Sequence, residues 1–316
     1  MTKLSIVAPF FNEEAVLAQY LEKTLAVLDM HFVHYEFILI DDGSTDQSWE
    51  ICTYFVKKYP QMRLISFSRN YGHEIALTAG LDYATGDQVI LMDSDLQHPP
   101  ELIPDLVKKA AEGYDVVCAS RMDRAHQSWL KKVTARFFYY VSRKLTKLPI
   151  EPDRGNYRLL TRTVVDSIKQ MKESNRHLVM MFAYIGFKTA VLPYACPPRI
   201  AGKSKYHVRA LTNLALDSII GFSARPLRLM SVFSLLISIV MMVYAGFVLI
   251  ERLFLHQALA DGIASIIFLI SGLFSVLFLF LAVISEYIIR ILIETKNRPL
   301  YYVKQDLTHD SFMHTL

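Results

Sequence analysis

Cysteine is scarce in this chain, and the few that occur do not suggest pairing. Cys52, Cys118 and Cys196 are odd in number, widely spaced and set in apolar or strand-like surroundings. This argues against a disulfide framework or a zinc site and fits a reducing compartment. Excess charge is also missing: a formal +4 over 316 residues does not mark a nucleic-acid binder. The opening stretch M-T-K-L-S-I-V-A-P-F-F-N-E-E has too short an apolar run for a signal peptide. The bulk of the protein is therefore expected in the cytoplasm. Apolar residues, by contrast, are plentiful at 53%, and the excess sits almost entirely beyond Pro226. The length supports one or two domains with a full core.

Two stretches lack charge altogether. Leu229 to Ile250 and Ile263 to Ile284 contain no Asp, Glu, Lys or Arg, and about 20 apolar residues span a bilayer core as a helix. Arg225 and Arg228 precede the first, Arg290, Lys296, Arg298 and Lys304 follow the second, and the link holds Glu251, Arg252 and Asp261. The positive-inside rule then puts both termini in the cytoplasm, making this a multi-pass protein of the cytoplasmic (inner) membrane. Glu286 and Arg290 fit an i, i+4 pair at the interface or, alternatively, a functional acid within the membrane. The expected organisation is a catalytic domain over 1–208, an interfacial helix or linker over 209–226, a two-helix hairpin over 227–293 and a C-terminal tail over 294–316.

Ahead of the spans, strand and helix alternate with short links. Leu4 to Ala8, Tyr35 to Ile40, Arg63 to Ser68, Val89 to Met92 and Asp115 to Ala119 read as strands. Helices are expected from Asn12 or Glu13, over Ser48 to Lys58, over Gly72 to Ala84 and from Glu101. The expected fold class is α/β, with a parallel, doubly wound sheet. Acidic residues stand at three strand exits: Glu13, Asp42, and Asp93 with Asp95. In V-I-L-M-D-S-D-L-Q-H-P-P, Asp93, Asp95 and Gln97 occupy alternate positions, which an extended chain points the same way. Three converging oxygen ligands suit a hard cation, Mg²⁺ or Mn²⁺; the same residues also suit a loop whose aspartates cap the next helix.

Beyond the fifth strand, Ser128 to Leu148 is basic and aromatic, which fits a helix on anionic lipid or a solvated helix packed on the sheet. Pro149 to Arg158 reads as a loop with Asp153, Gly155 and Asn156, followed by a helix from Thr163. Gly186 to Pro193 reads as a strand, and Cys196 to Tyr206 as a loop. The cations Arg199, Lys203 and Lys205 in that loop are either phosphate clamps or ordinary surface charges.

Taken in order, A-P-F-F-N-E-E, I-D-D-G-S-T-D, S-F-S-R-N-Y-G-H-E, M-D-S-D-L-Q-H-P-P-E and R-I-A-G-K-S-K-Y, followed by two spans, resemble the family 2 glycosyltransferases of the polyprenyl-phosphate type. The likeness is greatest to the bactoprenol glucosyltransferases, and the catalytic part is similar to the dolichyl-phosphate mannosyltransferases. It implies a GT-A fold (Rossmann-like, with a mainly parallel sheet), a nucleotide-sugar donor such as UDP-glucose, Mg²⁺ or Mn²⁺, and a polyprenyl phosphate acceptor such as undecaprenyl phosphate. By resemblance, Pro9, Phe11 and Glu13 line a nucleoside pocket with Ile40 and Asp42. Asp93, Ser94 and Asp95 meet the donor and metal, with Gln97 completing the coordination. Arg121, Arg199 and Lys205 hold phosphates. A two-span hairpin offers little shelter to a lipid acceptor, so a homo-oligomer is expected.

One position departs from the family pattern. Related enzymes carry G-D-F-R-L where this chain has G-N-Y-R-L, so Asn156 stands in place of an acid that could act as base, and an amide cannot take up a proton at neutral pH. Three explanations are open: the acceptor needs no base, Asp153 serves, or the chain is impaired. The first is favoured, because a phosphate monoester with a second pKa of roughly 6 is already mostly dianionic at pH 7; Asp153 then orients the acceptor. The expected reaction residues are Asp95, Arg121, Asp153, Asn156 and Lys205. Rival readings are transfer of mannose or an aminopentose, a processive synthase, and a non-catalytic nucleotide-sugar sensor or flippase partner. No Q-x-x-R-W element supports the processive synthase.

Overall fold

Leu4–Phe10 form β1, and all seven of its residues are buried. A strand with no solvent face belongs at the centre of a sheet covered by helices on both sides. β1 pairs in parallel with Tyr35–Asp41 (β2) on one side and Gln88–Leu91 (β4) on the other. Met62–Phe67 (β3) continues the parallel set beyond β2. Helices Glu14–His31 (α1), Ser48–Lys58 (α2) and His73–Tyr83 (α3) link these strands. The computed structural model describes residues 2–122, 154–195 and 263–313, with scattered positions between 143 and 148 and between 227 and 244.

Helical spacing explains how α1 docks. Val16, Leu17, Tyr20, Leu21, Leu25 and Leu28 form one buried stripe, and Tyr20 meets Phe37 of β2 edge-on with ring centroids 6.2 Å apart. α3 lies closer still to the sheet. At Gly80 a Cβ atom would run into the Val7 side chain of β1, so only glycine lets the helix approach.

Past β4 come a short 3₁₀ turn, Pro100–Leu102, then Ile103–Ala110 (α4) and Val116–Arg121 (β5). The stretch 154–158, which reads as loop, belongs to a strand: Arg154–Thr161 (β6) runs antiparallel between β4 and β5. Gly155, Asn156 and Arg158 disguise it, since none of them favours a buried strand. Arg158 is nonetheless buried, with its guanidinium turned onto the Gly155 carbonyl and over the Phe182 ring at 4.3 Å. Arg162–Gln170 (α5) and Leu178–Ile185 (α6) follow, and Thr189–Tyr194 (β7) pairs in parallel with β5.

The far edge of the sheet comes from the other end of the chain. Ile263–Lys296 (α7) precedes Val303–Thr308 (β8), which pairs antiparallel with β3, and Asp310–Met313 (α8) closes the described chain. The strand order is β7-β5-β6-β4-β1-β2-β3-β8. β8 is polar and exposed, hence its appearance as a tail in sequence. Arg63 ties it down with a two-pronged bond to Asp306, Nε to Oδ1 at 2.9 Å and the second nitrogen to Oδ2 at 2.6 Å. The sheet is therefore mainly, not wholly, parallel.

Residues 216–297 form a compact unit separate from the sheet domain. Among the described residues α7 is the one helix long and apolar enough to cross a membrane. Its stretch Gly272–Thr295 has a mean hydropathy of 2.4 and is not buried. Of the first expected span, positions 230, 232–237, 239–240 and 243–244 are helical; its other positions, the 209–226 linker and most of 128–148 lie outside the described residues.

Glu36 of β2 fastens the approach to β4. Its carboxylate accepts bonds from Lys3 Nζ at 2.7 Å, Ser5 Oγ at 2.6 Å, Thr85 N at 2.6 Å and Thr85 Oγ1 at 2.8 Å. Burial alone would raise its pKa, but the Lys3, Ser5 and Thr85 donors outweigh burial and lower it to about 2. Glu36→Gln should destabilise the domain by ~2 kcal/mol, a drop of about 5 °C in melting temperature at pH 7. With the folded pKa depressed, this advantage is complete above about pH 5 and is lost as pH falls toward the folded value. Melting curves of wild type and variant, followed by circular dichroism, should converge over that interval. A constant gap would assign the stabilisation to another group.

Candidate active site

In a parallel sheet the strands all end at one edge, and loops leaving neighbouring strands in opposite directions leave a crevice there. The loops after β1, β2, β3 and β4 enclose a cleft of about 480 Å³ lined by Pro9, Phe10, Phe11, Glu13, Asp42, Asn70, Gly72, His73, Ala76, Asp93, Ser94 and Asp95.

The loops are stitched together by side chains bonding backbone. Asn12 accepts the Thr45 amide at 2.8 Å, and its own amide bonds Ser44 Oγ at 3.0 Å. Ser48 Oγ accepts the Glu13 amide at 2.9 Å. Asp41 holds the Ser44 amide at 2.8 Å and the Ser66 hydroxyl at 2.9 Å. Asp42 reaches the β3 loop, where Oδ1 accepts the Tyr71 amide at 2.7 Å and Oδ2 the Gly72 amide at 2.9 Å. Burial raises the Asp42 pKa by more than these two amide bonds lower it. Between the two loops lies Gly43 at φ +75°, where a Cβ would stand 2.6 Å from the Arg69 carbonyl carbon.

The acidic pair has a different environment. His98 Nδ1 accepts the Asp93 amide at 2.8 Å, which leaves the proton on Nε2, 3.7 Å from Asp93 Oδ2. Burial lowers the His98 pKa, and the neutral ring stacks on Tyr157 at 4.7 Å. On the other side His73 Nε2 lies 3.2 Å from Asp93 Oδ1. Burial works against charge on His73, but Asp93 more than reverses it and raises the pKa to about 9. For Asp93, burial likewise opposes ionisation, yet His98, His73 and Arg121 hold it well below the usual carboxylate range. The cleft thus presents an ionised carboxylate already flanked by one cation and one neutral imidazole.

Of the residues singled out in the sequence, Pro9, Phe11, Glu13, Asp42, Asp93, Ser94 and Asp95 line the cleft. Ile40 does not: it is fully buried inside β2, between Pro9 of β1 and Ile65 of β3. Gln97 does not either. The alternation argument needs an extended chain, but β4 ends at Leu91 and the backbone turns, with Leu96 at φ +60° and the Gln97 amide bonded to Asp95 Oδ1 at 3.1 Å. The Gln97 side chain instead accepts a bond from Arg121 at 3.3 Å, and Arg121 also bonds the Tyr194 hydroxyl at 3.3 Å. Asn156 bonds Glu74 Oε1 at 3.3 Å through Nδ2, and Glu74 Oε2 accepts the Leu178 amide at 2.9 Å. Asp153, Arg199 and Lys205 lie outside the described residues. Sequence reasoning gave no role to Asn70, His73, Glu74 or His98. Their only signal was membership of S-R-N-Y-G-H-E and Q-H-P-P.

A Rossmann-like sheet with an acidic pair facing an open cleft at its strand ends has the GT-A architecture. The chain belongs to glycosyl transferase family 2, whose family model matches residues 5–169. It is a glycosyltransferase. It is 40% identical to an uncharacterized glycosyltransferase of Synechocystis sp. over 95% of this chain and 94% of that protein. It is 37% identical to a prophage bactoprenol glucosyl transferase homolog of Escherichia coli K12, over 96% of this chain and 99% of the relative. The fold is similar to that of glucosyl-3-phosphoglycerate synthase from Mycobacterium tuberculosis in complex with phosphoglyceric acid, with a TM-score of 0.54 at 18% identity over 70% of this chain and 80% of that one.

Gly43→Ala tests the stitching. The added methyl meets the Arg69–Asn70 backbone in a conformation L residues avoid, at a cost of about 2 kcal/mol. The variant should melt roughly 5 °C lower, and the Tyr71 and Gly72 amides should exchange with solvent faster. Unchanged exchange there would mean that Asp42 holds the β3 loop without help from Gly43.

Proposed function

We propose that this enzyme transfers glucose from UDP-glucose to a polyprenyl phosphate, with inversion, at the cytoplasmic face of the membrane. The observation that carries the reading is the pairing of Asp93 and Asp95 on the wall of a cleft open to a nucleotide-sized ligand. Two kinds of support join it. The relatives named as bactoprenol glucosyl transferases match over nearly their whole length, and α7 has the length and hydropathy to anchor a chain in the bilayer that holds such an acceptor.

The donor set fits a hard divalent ion. Among the described residues no group of three or more His, Cys, Asp or Glu forms a ready-made metal cage. Magnesium-type ions commonly take one or two carboxylates and complete their shell with substrate phosphates and water. Asp93 and Asp95 are the residues that would hold Mg²⁺ or Mn²⁺, which supplies charge neutralisation to a departing diphosphate.

The chain's own residues account for the remaining requirements. Pro9, Phe11 and Glu13 form the wall against which the nucleoside rests, with Asp42 behind it. Arg121, with Arg199 and Lys205, supplies cations to the diphosphate. The acceptor phosphate oxygen forms a bond to the anomeric carbon as the bond from that carbon to the diphosphate oxygen breaks, releasing UDP. No proton has to be removed from a dianionic phosphate, so Asn156 is compatible with turnover and Asp153 orients the acceptor. Both termini lie in the cytoplasm, two spans anchor each chain, and a homo-oligomer shelters the acceptor.

The test is a panel of radiolabelled nucleotide sugars, glucose, mannose and aminopentose among them, incubated with undecaprenyl phosphate and scored for a chloroform-soluble product. UDP-glucose should label the lipid, and a label from a different donor alone would replace glucose in this reading. Asp95→Asn should reduce transfer by at least about 100-fold while leaving the protein in the membrane fraction. Undiminished transfer by that variant would remove the metal from Asp95. Release of UDP only when lipid phosphate is present distinguishes an enzyme from a nucleotide-sugar sensor.

A further inference from the structure

The loop between β3 and α3 lends Asn70, Gly72 and His73 to the cleft, and Asp42 grips it from the inner side. Its outer side is gripped by residues from the opposite end of the sequence. Tyr301 lays its ring on Phe67, the last residue of β3, with centroids 4.9 Å apart and planes 23° apart. Phe67 in turn meets the Tyr71 ring edge-on at 5.7 Å. Tyr71 carries the amide that bonds Asp42 at 2.7 Å. Alongside this stack the Ser68 amide bonds the Tyr302 carbonyl at 2.9 Å. The Tyr301 hydroxyl donates to Asp82 of α3 at 3.1 Å, which fixes the ring from a second element.

An irregularity in the ladder explains why the ring contact matters. The β3–β8 register shifts between Ser66 and Phe67, so regular strand pairing stops where the cleft loop starts. From there the loop is held by single contacts, the Tyr301–Phe67–Tyr71 stack among them.

We propose that Tyr301 is a positioning residue for the nucleotide. Its ring holds Phe67 and Tyr71 in the arrangement that sets the Tyr71 and Gly72 amides on Asp42, and so shapes the β3 wall of the cleft. The segment that follows α7 thereby takes part in donor binding without touching the donor. This role rests on reading the cleft as the donor site.

The experiment uses the full chain in detergent with Mn²⁺. UDP affinity is measured by calorimetry, and exchange at Asn70, Tyr71 and Gly72 is followed by mass spectrometry without ligand. Tyr301→Ala should weaken UDP binding on the order of tenfold and speed exchange at those three residues, with β1 and β2 unaffected. Tyr301→Phe keeps the stack and loses only the Asp82 bond, so it should stay near wild-type affinity. A Tyr301→Ala protein with wild-type exchange in the loop overturns the proposal whatever UDP does. So does weakened binding shared equally by Tyr301→Phe. Absence of UDP binding by the wild-type protein overturns the donor reading itself, and with it this role, whereas exchange still reports whether the stack holds the loop.

Discussion

A buried carboxylate must find donors or lose its charge, and in this domain that requirement organises the edge where the strands end. Asp42 accepts two amides from the next loop and Asp41 an amide and a hydroxyl; at the opposite edge, where the strands begin, Glu36 gathers donors from β1 and the turn before β4. Asp41 and Asp42 thereby satisfy backbone amides that would otherwise be unpaired. Loops of such polar composition would not hold a fixed shape by packing. They do so here because four strands deliver them side by side and the carboxylates lock them. Asp93 differs, because its side chain meets the His73 cation and the neutral His98 ring rather than backbone amides.

The parts of the fold that depend on runs of buried residues could be read from sequence. β1 to β5 and the helices between them follow from apolar runs and helical spacing, because a strand hidden on both faces leaves an unbroken hydrophobic signature. β6 and β8 do not. β6 carries Arg158 in its buried stretch, and that charge is accommodated by a carbonyl and a ring contributed by the fold. β8 sits at an edge, where polar residues are favoured because they discourage further pairing. Edge strands therefore resemble tails.

The site was legible to the extent that residue type decides role. Asp42, Asp93 and Asp95 stood out as acids at strand exits and do line the cleft. The alternation rule applied to Gln97 presupposes an extended chain, and the left-handed Leu96 ends that condition. His73 and His98 were invisible for another reason. A histidine's partner here is an aspartate reached through the fold, His73 from a different loop and His98 by a turn of the same one. Asn156 presents an intermediate case: its departure from the family pattern was plain, but its bond to Glu74, which also holds the first amide of α6, is a tertiary fact.

The outermost strand raises a question about the order of synthesis. β8 covers β3, whose Leu64 and Ile65 are fully buried, yet β8 lies beyond the long apolar helix α7. A ribosome producing this protein completes β1 to β7 before it makes β8. During that time the nascent domain carries an unpaired hydrophobic border, the kind of surface that chaperones recognise and that joins to neighbouring chains. The border is covered only after the long apolar helix α7 has been translated, so completing the sheet waits on the synthesis of that helix.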